Sequence, residues 1–143
     1  MHKLLLAAAV AAATAMAAAA PALASSPGVL DRLPGSEVRR STSQGDERRE
    51  EVLTLHRDGR LTGNYQVTRT GLPRGSVEHR QGRIHGSWEV VGDKLCIAGR
   101  GLSEGDASCY HLSKARAGRR QFAATNLGTG EIWRMFVSFG ARD

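Results

Sequence analysis

The side chains in this chain that could do chemistry are its histidines, two cysteines and a thin set of carboxylates, and their spacing argues against most reactions. His56, His79, His85 and His111 follow the N-terminal region. None stands in His-x-His or His-Glu-x-x-His spacing, so a zinc site is not expected. His79 and His85 flank Arg80 and Arg83, a basic neighbourhood that repels a divalent cation. The serines lack the Gly-x-Ser-x-Gly elbow of a nucleophile. Glu78, Glu89, Glu104, Asp106 and Glu131 fall at turns or at outward strand positions, and no opposed pair for glycoside chemistry is evident. The expectation is a protein with no catalytic residues, no metal and no cofactor.

Cys96 and Cys109 are read through the first 24 residues. Met1-His2-Lys3 is a short cationic start, Leu4 to Ala20 is apolar but for Thr14, and Pro21-Ala22-Leu23-Ala24 ends in a small-x-small cleavage pattern. The apolar run approaches membrane-spanning length, but its alanine content and the cleavage site behind it favour a signal peptide over residues 1–24. The mature chain then starts at Ser25, with no cysteine near the cut to carry a lipid. Export to the periplasm or beyond makes the cysteine pair a structural disulfide rather than a redox centre, which needs the closer Cys-x-x-Cys spacing.

Composition after residue 24 is about 33% apolar, below the usual ~45–50%, and holds all 17 glycines. A single small, turn-rich domain follows, one that benefits from a covalent staple. The chain carries a formal charge of +6, and 17 of its 20 cations are arginines. Most are scattered. Arg74, Arg80 and Arg83 in one loop, with Arg116, Arg119 and Arg120 in another, are the best functional candidate among them, and Arg80, Arg83, Arg119 and Arg120 form the candidate anion-binding surface. Its expected partner is an anionic envelope glycolipid or polymer, or another protein. Specific nucleic-acid binding is not expected outside the cytoplasm.

Residues 25–50 offer too few apolar side chains to offset ordering entropy, so they read as a flexible arm with one helical turn near Ser36 to Arg40, ending in the solvated charge run Asp46 to Glu51. The β domain is placed at 51–143. Strand-like runs begin at Val52 to His56, and the Asp58-Gly59 turn leads into Leu61 to Val67. A loop from Thr70 to Arg83 precedes a strand with Ile84, Trp88 and Val90. Lys94 to Ala98, Ser108 to Leu112, Gln121 to Thr125 and Glu131 to Phe139 follow. The fold class is all-β, a small antiparallel barrel or sandwich of about seven strands with one disulfide.

Leu53-Thr54-Leu55 with Asp58-Gly59 and Gly63, then Gly86-Ser87-Trp88, Gly92-Asp93-Lys94-Leu95-Cys96 and Cys109-Tyr110, together resemble a group of small secreted proteins of Gram-negative bacteria whose domain has no assigned function. The resemblance implies a compact β fold with one disulfide and transfers no catalytic residue. Gly86-x-Trp88 also resembles the Gly-x-Trp of lipocalins, but there the motif opens the first of eight strands, and only 55 residues follow Trp88 here. Gly86 is instead expected to make room for a neighbouring ring. Trp133 is expected in the core with Met135 and Val137, with a Trp133-Arg134 stacking pair as the alternative.

These readings describe an exported, non-enzymatic β domain that binds an envelope component or another protein. Two alternatives stand beside it. One is a small-ligand carrier with a cavity under Tyr65, Trp88 and Phe122; the other is a hydrolase inhibitor that presents the Thr70 to Arg83 loop.

Overall fold

The computed structural model describes residues 24–103, 107–114 and 120–140. Eight strands close into an antiparallel up-and-down barrel, each pairing with the next and the last with the first. They are β1 (Ser36–Gln44), β2 (Glu47–Leu55), β3 (Arg60–Arg69), β4 (Glu78–Val91), β5 (Lys94–Arg100), β6 (Ser108–Lys114), β7 (Gln121–Asn126) and β8 (Ile132–Ser138). Except for Ala24, the expected leader lies outside the described residues. So do Arg116, Arg119, Glu104 and Asp106. No helix among the described residues is long and apolar enough to cross a membrane.

The segment expected as a flexible arm is part of the barrel. Residues 36–44 form β1 instead of a helical turn, and the charge run continues into β2. Between the two strands Gly45, at φ 56°, and Asp46 make a two-residue turn, with glycine where a hairpin of this kind requires positive φ. Gly92-Asp93 repeats the device between β4 and β5. The Asp58-Gly59 turn joins β2 to β3 as expected. Its Asp58 carboxyl is held below the usual carboxylate range by hydrogen bonds from the Arg60 side chain and backbone.

Upstream of β1, a 3-10 turn at Leu30–Arg32 carries Val29 and Leu33 into the core, where Leu33 is fully buried. Ser25 and Ser26 run beside β6: the Ser26 amide donates to Leu112 O, and the Leu112 and Lys114 amides donate to the Ser25 and Ser26 hydroxyls. The N-terminal segment therefore crosses and closes one end of the barrel. The turns joining β1 to β2, β3 to β4, β5 to β6 and β7 to β8 surround the other end.

Inward positions divide by chemistry along the barrel. The closed half packs Leu55, Leu61, Trp88, Leu95, Leu112, Phe122 and Val137. Toward the other end β1 and β2 point Arg40 and Glu51 inward, both fully buried in their side chains. Close backbone approach at β3 to β5 depends on glycine. A Cβ on Gly63 would lie 2.1 Å from Val52 O, and one on Gly86 1.9 Å from Ala98 O. Gly86 thus admits the neighbouring backbone, not a ring as expected; the ring-covered glycine is Gly82, beneath Tyr65.

Cys96 and Cys109 face each other directly across β5 and β6, with Cα atoms 4.0 Å apart, and form the expected disulfide. This seam has the shortest register in the barrel, three residue pairs against nine between β1 and β2. The bond thus clamps the seam with the fewest backbone pairs, and it fits an oxidising compartment outside the cytoplasm.

Candidate functional site

The outer wall of β8, β1, β2, β3 and β4 forms a groove of about 750 Å³. Antiparallel register builds its central row. Phe136 stands opposite Arg39, Arg39 opposite Val52, Val52 opposite Asn64, and Asn64 opposite Arg83. Four inter-strand spacings make this row ~19 Å long. Beside it run Ser41, Glu50, Gln66 and Gln81. Phe136 is 47% exposed and Val52 36%, a pair of apolar side chains in a groove whose other outward-facing lining residues are polar.

Three guanidiniums and one carboxylate rim this strip. Arg39 pairs with Glu37 at 3.1 Å and Arg48 with Glu50 at 2.7 Å. Arg83 is exposed and has no ion-pair partner among the described residues. The groove accordingly offers an aromatic and aliphatic floor beside excess positive charge. Both of its ion pairs are solvent-exposed and therefore weak, so an incoming anion can exchange for either carboxylate at small cost.

The expected anion-binding residues are not gathered in one place. Arg83 lines the groove. Arg80 lies in β4, which begins at Glu78 so that residues 78–83 are strand rather than loop, and it approaches Glu47 at 3.7 Å and Glu78 at 3.6 Å. Arg120 precedes β7 at the closed end, three strands from β4, and Arg119 lies outside the described residues. Arg74 sits in the remaining loop in a left-handed conformation, φ 63°. The alternation of β1 hid Arg39 from sequence reading, because its neighbour Arg40 points inward and makes the strand look uniformly charged.

Tyr65, Trp88 and Phe122 all lie toward the interior, but they do not line one cavity. Trp88 and Phe122 are packed in the closed half; the Trp88 indole donates to His56 O, and Phe122 meets Phe139 edge-on. Tyr65 belongs to the polar half, where the Arg49 guanidinium stacks 4.3 Å from its ring centroid. Trp133 is fully buried with Met135 and Val137, as expected. Its cationic partner is Arg40, 4.2 Å from a ring centroid, since Arg134 follows it in a strand and points the other way.

The histidines are dispersed. His56 hydrogen-bonds Thr62, His79 meets Thr68, and His111 lies 3.3 Å from Asp93. Among the described residues no three His, Cys, Asp or Glu side chains cluster as metal ligands. No protein-family model matches the chain, and no curated protein is significantly similar to it.

Proposed function

We propose that this protein is an exported, non-enzymatic binding barrel that holds an anionic envelope glycolipid in its outer-wall groove. The observation that carries the reading is the single cross-strand row in which Phe136 and Val52 alternate with Arg39 and end at Arg83. Guanidiniums bind phosphate or carboxylate in a planar fork. The exposed ring and valine cover part of an acyl chain, which a purely polar polymer lacks. The leader pattern and the disulfide support a periplasmic or secreted location, where such a lipid is available. The resemblance to small secreted Gram-negative β proteins agrees with it.

The test is binding of the oxidised protein to vesicles with and without an anionic glycolipid. Each basic residue near a charged surface contributes ~1 kcal/mol, so the Arg39→Ser, Arg83→Ser double variant should bind about tenfold more weakly or worse. The loss should fall in the salt-sensitive part of the affinity. Phe136→Ser should weaken binding to glycolipid while leaving binding to a deacylated anionic polymer unchanged. Wild-type affinity that is indifferent to salt and to the arginines would overturn the proposal.

A further inference from the structure

The end of the barrel opposite the N-terminal segment holds a second cavity, of about 380 Å³, separate from the outer groove. Thr42, Gln44, Glu47 and Arg49 line it from β1 and β2. Ser103, Ser108, Asn126, Thr129 and Glu131 line it from the opposite side. Every lining side chain among the described residues is polar. A mouth whose described lining has no apolar side chain is unusual for a ligand site, which is ordinarily lined mostly by hydrophobic groups, and it disfavours a fatty or aromatic ligand.

The lining is also held in place. Arg49 donates from Nε to Glu51 Oε1 at 2.7 Å and from Nη2 to the Gly101 carbonyl, and its plane rests on Tyr65. Asn126, 3% exposed, accepts hydrogen bonds from the Gly128 and Thr129 amides through Oδ1. Glu131 Oε1 accepts from the Thr42 hydroxyl at 3.0 Å and from Gln44 Nε2 at 3.5 Å. These contacts reduce the ordering cost of binding.

We infer that this mouth takes a neutral polyhydroxylated molecule, a mono- or disaccharide in chemical class. The described charges around the mouth balance, Arg40 and Arg49 against Glu51 and Glu131, and Glu47 against Arg80 at 3.7 Å, so neither an anion nor a cation is favoured. Carboxylates accept from vicinal hydroxyls, while amides, hydroxyls and the guanidinium supply donors to ring and glycosidic oxygens. The volume suits one or two sugar rings.

Titration of the oxidised protein with N-acetylglucosamine and with maltose, read by amide NMR shifts, tests the inference. Shifts should concentrate at Ser108, Gly128 and Thr129 and should saturate. Acetate, inorganic phosphate and methylammonium should produce none there. Glu131→Gln, which keeps the shape but removes the charge-assisted acceptor, should weaken the saccharide about tenfold with the circular dichroism spectrum unchanged. Absence of saturable shifts with either sugar would overturn it. So would an equal response to the charged probes, or an unchanged affinity in Glu131→Gln.

Discussion

Glu51 is the residue on which the barrel's polar half turns. One carboxylate, with no exposed side-chain surface, takes Arg40 on Oε2 at 2.6 Å and Arg49 on Oε1 at 2.7 Å. Burying charge is tolerated only with such pairing, and removal of one partner leaves the other uncompensated. Glu51→Gln should therefore cost about 3–5 kcal/mol in urea unfolding, the range for breaking a buried pair. A loss within experimental error of zero would mean that the two guanidiniums find other anions. In the sequence Glu51 closes a run that reads as a solvated face. That reading failed because Glu47, Arg49 and Glu51 take alternate, inward positions of β2 ahead of Leu53 and Leu55. A strand whose inward side changes from charged to apolar halfway along has no continuous hydrophobic period to detect.

At the scale of elements, the strands most legible in sequence are those whose inward positions are mainly apolar. Leu95 and Ile97 in β5, Tyr110 and Leu112 in β6, and Trp133, Met135 and Val137 in β8 mark their strands plainly. β1 escaped because its inward set, Ser36, Val38, Arg40, Thr42 and Gln44, contains one hydrophobic side chain. The Gly45-Asp46 turn was a usable signal, masked by the charges around it. The groove was legible only in part for a related reason: its register depends on β1 lying between β8 and β2, and without β1 the five-strand row does not exist. The disulfide was legible from cysteine count and compartment, and its place in the short β5 to β6 seam gives it a local effect. The Cys96→Ser, Cys109→Ser double variant should lose about 3 kcal/mol by the chain-entropy relation for a loop of this size. Amide exchange should rise first at 95–97 and 108–110. Uniform acceleration across all eight strands would show instead that the bond acts on global unfolding alone.

For the molecule as a whole, the division of the interior separates stability from binding. The half closed by Val29 and Leu33 supplies continuous apolar burial, the dominant favourable term in folding. The open half spends inward positions on Arg40, Arg49, Glu51 and Asn126, which burial alone disfavours. Buried ionic groups can often be replaced by well-packed apolar side chains at no loss, or with a gain of about 1–4 kcal/mol. If this half is built for ligand recognition, the triple variant Arg40→Met, Arg49→Leu, Glu51→Met should unfold at the same or higher urea concentration than the wild type, in contrast to Glu51→Gln alone. It should also lose the saccharide-dependent shifts at Gly128 and Thr129, because the floor of the mouth no longer holds a fixed donor, while glycolipid binding on the outer wall persists. A triple variant that is strongly destabilised would make the charged cluster a requirement of barrel closure. The polar mouth would then be a consequence of how β1 and β2 fold, and the outer groove would stand as the one recognition surface.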